Sequence, residues 1–405
     1  ERAKNRAKLE FYNSGYSRHG ASTFKSALKG MIASPGDPND DTTANVQTLA
    51  ARSRDLFYGT SLATGAIKTI RTNVVGHGLQ LNSNIDHDFL GITREEADQW
   101  ERNTEREFKL WADSNNCDIM RTMTFGQMQG LILISALLDG DVFVALPIKP
   151  RKGVAYDLRL SLIEADRVGN PDDIQAGYEV NGGIEVDADG EKIACYIADF
   201  NPNSQTMMSR PEYRRVEFYG KKTGRPNVLH IAEEWERPGQ RRAVPLLSPV
   251  IEELKQLGRY TDAELMNAVV SGMFTVFITT PTPNTPLGDA IPIDQQIDSQ
   301  NDDSYELGNG AIIGLQEGED VKFANPDRPN SAFNDFVTTI SRQIGTALEL
   351  PYELLVKHFT ASYSASRAAL LEAWKMFRMR RSWLIQHLCH PVYEEWLTEA
   401  ILKGR

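Results

Sequence analysis

Chemistry needs particular residue types at particular spacings, and four places in the sequence come near to offering them. His387-Leu388-Cys389-His390 sets three metal-binding side chains within four residues. A tetrahedral zinc site needs four such donors, and the remaining histidines are scattered, so the run reads as a helix with a partly buried cysteine. Gly220-Lys221-Lys222-Thr223 is the nearest text to a phosphate-cradling loop. That loop requires a glycine five positions before Gly220, where Arg215 stands, and it must open a helix, whereas the residues here lead into strand. Gly59-Thr60-Ser61-Leu62-Ala63 lacks the second glycine of a nucleophile elbow, and no strand precedes it. The pairs Glu233–Glu234 and Asp302–Asp303 are not enclosed by apolar sequence, the setting that would split two carboxylates into an acid and a base. The expectation is a chain with no catalytic residues, no metal and no cofactor, and therefore no enzyme.

A fifth stretch is of another kind. Lys357, His358, Thr360, Ser362, Tyr363 and Ser364 form a short polar run, and a long basic helix follows without a gap. Its Arg367, Lys375 and Arg378 fall near one helical face, while Leu370, Trp374, Phe377 and Leu384 make an apolar stripe. The polar run has the donors to touch phosphates without reading bases. It equally suits packing against a neighbouring loop. Charge on the outer face of a helix is ordinarily solvated or paired.

The elements that must position this stretch are legible from pattern. The chain has 405 residues, 41 % hydrophobic and 24 % charged, which suits a folded chain of roughly two to four domains. No apolar run approaches the ~18 residues of a membrane span. Three distant cysteines make no disulfide framework and fit a reducing compartment. The net charge is −11, whereas proteins that grip duplex DNA are usually basic. The first residue is Glu, so the start reads as processed or missing.

Residues 1–45 are turn-rich, yet Phe11, Tyr12, Tyr16 and Phe24 suggest an arm that packs on a neighbouring subunit, the alternative being a loose terminus. Residues 46–75 are periodic as helix, and Val74 to Leu81 breaks into strand. Helices are expected at about 93–112 and from Thr124 to about 139, then short strands from 141 to 235 with an Asp-Gly hairpin turn at 187–190. Ser248 and Pro249 suit a helix start, with Val250, Leu254, Leu257 and Leu265 on one stripe. A strand-containing, proline-rich excursion follows, then a helix with Phe333, Phe336, Ile340, Ile344 and Leu348 on one face.

This order of elements resembles a tailed-phage portal protein of the lambda-like family. The blocks that carry the resemblance are RSRDLFYGTSLATGAIKTIRTNVVGHGLQL (52–81), DGDVFVAL (139–146), LIEADRV (162–168), VLHIAEEW through MNAVVSG (228–272) and YSASRAALLEAWKMFRMRR (363–381). The resemblance implies an α+β portal-type fold with a mixed wing, a two-helix stem, a small strand-containing clip and a helical crown region. Placed on this sequence, that gives an arm at 1–45, a wing at 46–245, a stem helix at 246–271 and a clip at 272–330. A second stem helix follows at 331–349, a tunnel loop at 350–363, and the long helix with a truncated crown region at 364–405.

The same resemblance implies a homo-oligomeric ring, usually of twelve subunits, at one capsid vertex. Such a ring conducts double-stranded DNA non-specifically during packaging and ejection. Its partners are terminase, capsid protein and a head–tail adaptor, its place the virion and, during assembly, the host cytoplasm, with no membrane. Thr360 and its neighbours become candidate DNA contacts, and Arg367, Lys375 and Arg378 candidates for inter-subunit pairing or for DNA. The alternatives are a packaging motor enzyme, a terminase-like ATPase or nuclease, or another ring-forming capsid or adaptor component.

Overall fold

A computed structural model describes residues 20–22, 25–31, 36–207, 209–272, 276–279, 320–323, 333–359 and 362–405. The fold mixes helix and sheet and divides into two compact units. The first takes the described residues up to Arg54, then Arg71–Leu246 and Met379–Arg405; the second takes Asp55–Ile70 and Leu247–Arg378.

In the first unit, α1 (Pro38–Asp41) is capped by Asp37, whose carboxylate accepts the Asn39 amide at 2.8 Å. Asn39 in turn ties this turn to the loop at 239–241, accepting from the Arg241 amide and donating to the Gly239 carbonyl. Residues 36–41 of the expected arm are thus packed on their own chain, and the aromatics Phe11, Tyr12, Tyr16 and Phe24 lie outside the described residues. The periodic stretch expected as one helix is two, α2 (Thr43–Gly59) and α3 (Ser61–Val74), divided at Thr60. Thr64 Oγ1 donates to the Phe57 carbonyl, which the break would leave without its helical partner, and lies within reach of the Thr60 carbonyl, which accepts the Thr64 amide.

The stretch after Gly78, expected as strand, is extended but belongs to no sheet. Side chains take the place of a partner strand. Gln129 both accepts from the Leu79 amide and donates to its carbonyl, Glu105 accepts from Ser83 N at 2.9 Å, and Glu101 accepts from Ile85 N at 2.8 Å. A short turn, α4 (His87–Leu90), follows. The two glutamates sit four residues apart on α5 (Arg94–Ala112), so one helical face presents them in register with alternate amides. Both α5 and α6 (Phe125–Asp139) start with capping boxes, Thr93 with Glu96 and Thr124 with Gln127.

β1 (Asp141–Ala145) lies between β2 (Ser161–Ile163) and β7 (Val228–Ala232) in an antiparallel sheet. A second antiparallel sheet orders β3 (Val180–Asn181), β4 (Ile184–Val186), β5 (Lys192–Ala198) and β6 (Tyr213–Glu217). The hairpin at 187–190 is present: Asp187 accepts the Asp189 and Glu191 amides and Gly190 supplies the positive φ. Phe143, Ile163, Val168, Ile184, Val186, Cys195, Ile197, Phe218 and Val228 form one apolar core drawn from both sheets.

Inside this unit Arg242 is buried against Asp141. Its guanidinium donates to both Asp141 oxygens, at 2.7 and 2.8 Å, and to the carbonyls of Ala165, Val168 and Gly182. Nearby, Arg54 binds Asp166 at 2.7 Å and Glu164 at 3.0 Å, and lies 3.4 Å from Asp139. Burial pushes the Asp139 carboxyl up to about 7 against the pull of Arg54.

The last helix, α11 (His390–Leu402), is part of this unit. Glu399 accepts the amides of Asp157 and Leu158, while Trp396 is 1 % exposed and packs edge-on to Phe108 with centroids 5.1 Å apart. Pro391 has no amide for the carbonyl four residues earlier, and the chain widens into a π turn at Ile385–Cys389 just before it.

The second unit contains α7 (Ile251–Gly272) and α8 (Phe333–Ala347), which flank the antiparallel pair β8 (Val276–Thr279) and β9 (Asp320–Phe323). Tyr260 stacks on Phe333 at 5.6 Å and meets Phe336 at 4.7 Å, joining the two helices. Ser248 is not an N-cap: a 3₁₀ turn at Ser248–Val250 leads into α7 and its cap position, Leu247, makes no side-chain bond. Val250, Leu254 and Leu257 are buried as expected, but Leu265 is 66 % exposed.

Gly140 closes α6 at φ 93°, and a Cβ there would stand 2.2 Å from the Ala243 carbonyl oxygen. Gly140→Ala is expected to destabilise the protein by at least ~2 kcal/mol in urea unfolding, since strain and clash add.

Candidate functional site

The polar run is positioned by a packed reversal after α8. Leu348 and Leu350 are buried, the Leu350 amide returns to the Gly345 carbonyl at 2.8 Å, and Glu349 between them takes φ 57°. Pro351 then precedes α9 (Tyr352–Leu355), over whose Tyr352 ring lies Arg342 at 5.4 Å, and Leu355 is buried. Lys357 ends this turn at φ 56°. A side chain with a Cβ is held in the left-handed region at a cost of roughly 1–2 kcal/mol, so packing imposes this conformation.

The exposed part of the run therefore begins at Lys357. Lys357, His358 and Phe359 are exposed, and the His358 amide donates to the Glu353 carbonyl at 3.1 Å. Thr360 lies outside the described residues. Ser362 caps α10 (Tyr363–Leu384): its Oγ accepts the Ala365 amide at 3.4 Å and its carbonyl accepts from Ser366. Tyr363 and Ser364 thus form the first turn of the helix, exposed, with Tyr363 at 80 %. Five of the six candidate residues are exposed among the described residues, Lys357 and His358 at the end of the α9 turn and Ser362, Tyr363 and Ser364 at the start of α10.

Along α10, Arg367, Lys375 and Arg378 are all exposed. Lys375 pairs with Glu372 of the same helix at 2.6 Å. The buried stripe is Ala373, Met376, Phe377, Arg380 and Leu384. Trp374, expected on that stripe, is 40 % exposed, and Leu371 beside it 56 %. Arg380 was not singled out from sequence, yet it sits three and seven residues after Phe377 and Ala373, on the stripe itself. It is 1 % exposed and forms an ion pair with Glu233, a member of the glutamate pair that the sequence does not enclose in apolar residues. Next to it Arg381 donates to the carbonyls of Asn73 and Val74 at 2.7 and 3.0 Å.

The other chemical motifs disperse. His387 Nδ1 lies 3.0 Å from the Trp383 carbonyl, His390 faces Glu394, and burial pushes the Cys389 thiol up to about 12. Among the described residues no three His, Cys, Asp or Glu side chains converge as a metal site, and no helix is long and apolar enough to cross a membrane. Gly220 belongs to a tight turn, its amide bonded to the Arg225 carbonyl.

Residues 24–381 match the family described as phage portal protein, lambda family. The chain belongs to the lambda family of phage portal proteins. It is 23 % identical to portal protein B of Escherichia phage lambda over 409 aligned residues, covering 93 % of this chain and 74 % of that one. It is 22 % identical to the portal protein of Escherichia phage N15, covering 87 % and 69 %. In fold it is similar to a chain in the neck of an empty gene transfer agent particle computed with C6 symmetry, at a TM-score of 0.55 and 12 % identity, covering 90 % and 87 %. A chain in the neck of the native particle computed with C12 symmetry gives 0.51 and 13 %, covering 85 % and 81 %. As a portal protein it is a structural component of a phage particle and not an enzyme.

The exposure along α10 separates two adjacent aromatics. Phe377→Ala is expected to lower stability by about 3–5 kcal/mol and Trp374→Ala by less than ~1 kcal/mol in unfolding of the dissociated subunit.

Proposed function

We propose that this portal protein assembles into a homo-oligomeric ring at one capsid vertex and conducts double-stranded DNA through its centre. Family membership across residues 24–381 carries this reading. Heterologous contacts that close on themselves make such a ring from one kind of subunit. The ring docks terminase during packaging and a head–tail adaptor afterwards, seated in capsid protein, and it is put together in the host cytoplasm.

The subdomains are assigned with it. Residues 46–245 form the wing, 246–271 and 331–349 the stem, 272–330 the clip and 350–363 the tunnel loop. The pairing of α7 with α8 through Tyr260, with a two-stranded ribbon at their ends, supports a stem capped by a clip. Residues 364–405 form the long helix and the crown region; α10 before Met379 falls in the stem-bearing unit and the rest in the first unit.

DNA contact falls to Lys357, His358, Thr360, Ser362, Tyr363 and Ser364, and Arg367 and Arg378 remain available for a neighbouring subunit. A chain of net charge −11 with few placed cations suits a channel, because each neutralised phosphate adds affinity and so friction. Contact is with backbone phosphates, without base readout.

Electron microscopy of the purified protein is expected to show rings with an open central channel; a persistent monomer, a closed disc or ATP turnover would overturn the reading. Replacing residues 360–364 by a glycine-rich segment is expected to leave rings intact while DNA packaging falls at least tenfold. Loss of rings instead would make the segment structural.

A further inference from the structure

The first unit contains a buried polar chain that its apolar core does not require. Lys192 Nζ on β5 lies 3.0 Å from Nδ1 of His230 on β7, and His230 Nε2 lies 3.0 Å from Asp141 Oδ2 on β1. Arg242 completes the chain through both Asp141 oxygens. The partners fix the imidazole tautomer. An ammonium only donates, so Nδ1 accepts, and Nε2 carries the hydrogen given to the carboxylate. Phe143 stacks on the ring at 4.4 Å and 7°, and Trp235 meets it edge-on at 5.6 Å. The Lys192 ammonium stands 4.3 Å over that same Trp235, which is 43 % exposed.

This chain is one polar tie between the two sheets, since β5 belongs to one and β1 and β7 to the other; Arg167 on the Ala198 carbonyl and Asn227 on the Glu217 carbonyl are others. It has a single proton-sensitive joint. A proton placed on Nδ1 occupies the position the ammonium now uses, and leaves two cations in contact inside the protein. Lys192 can leave by way of Trp235, whereas His230, 3 % exposed at its side chain, cannot.

We propose that Lys192, His230, Asp141 and Arg242 form a proton-operated latch: protonation of His230 expels Lys192 and loosens β5 of the four-stranded sheet from β7 of the three-stranded one. No bond is broken. The proton comes from solvent and stays on the imidazole, which then pairs with Asp141.

The electrostatics agree in sign. Burial, then the Lys192 charge, bring His230 down to about 4, with Arg242 acting the same way and Asp141 opposing. Burial also brings Lys192 down to about 8, helped by Arg241 and Arg242 and opposed by Asp141, so it stays charged in acid and adds no dependence there. Burial works against the Asp141 charge, yet Arg242 and His230 hold its carboxyl well below the usual range. With Lys192 gone, a charge that lowers His230 is removed while Asp141 still favours the imidazolium, so the open state takes up its proton at higher pH than the tied one, which titrates at about 4. Between the two titrations, opening gains up to about tenfold for each pH unit lost. Asp139 works the other way: raised to about 7, it takes up a proton as the pH falls and favours the folded unit. Global melting thus mixes two opposed titrations, and a local measurement is required.

The test is amide hydrogen exchange of the full-length protein from pH 7 to 4.5, corrected for intrinsic rates and read on peptides covering 192–198 and 228–232. Opening in these strands is expected to rise by up to about tenfold per pH unit as the pH falls toward 4.5, while peptides in α6 stay level. Lys192→Met and His230→Gln are each expected to flatten the rise. Histidine C2-proton exchange reports His230 directly, and its titration is expected to move up by about one unit or more in Lys192→Met. A level wild-type profile, a Lys192→Met profile parallel to wild type, or an unmoved His230 titration would each overturn the latch. Should His230→Gln fail to fold, the lysine variant decides alone.

Discussion

One buried ion pair sets the geometry of the first unit. Arg242 and Asp141 meet where the edge-forming loop 165–168, the turn at Gly182 and the start of β1 converge. All five guanidinium hydrogens have acceptors, two on the carboxylate and three on backbone carbonyls. Removing both charges from water costs several kcal/mol per ion, and only such complete satisfaction offsets it. The gain is placement more than stability. Three backbone carbonyls are pinned to one rigid, planar fork, and an apolar residue of equal volume would leave them unpaired.

The second unit solves a different problem, the presentation of a short exposed run at a fixed place. Leu348, Leu350 and Leu355 bury the reversal, and two residues with side chains, Glu349 and Lys357, accept left-handed backbone to make it. The candidate DNA contacts start at the stiff turn ending at Lys357 and run to the capped start of α10 at Ser362 to Ser364. In the proposed ring this holds a small polar surface at each subunit without a large basic patch, which matches the acidity of the whole chain.

Much of this was legible in the sequence because the deciding signals were local. Thr93 with Glu96 and Thr124 with Gln127 announce helix starts, and the Asp-Gly turn at 189–190 announces its hairpin. What escaped depends on distant partners. The stretch after Gly78 alternates like a strand, but its partners are Gln129, Glu105 and Glu101, which no pattern in the stretch itself encodes. Trp374 looks like core and is exposed, while Arg380 looks like surface and is core, because Glu233 waits 147 positions earlier. In the site, residue types were readable; the left-handed turn at Lys357 was not, since nothing but packing puts a lysine there.

The placement of α11 has a consequence for the order in which the chain can fold. Residues up to Leu246 are synthesised early, yet their unit also includes Met379–Arg405, with Glu399 holding the amides of Asp157 and Leu158 and Trp396 filling the cluster around Phe108. At ordinary synthesis rates the missing piece arrives roughly 7–30 s later. The unit begun first is closed last. Until then its aromatic cluster stays open, and in the proposed ring a nascent subunit with this unit unfinished is a poor partner for its neighbours.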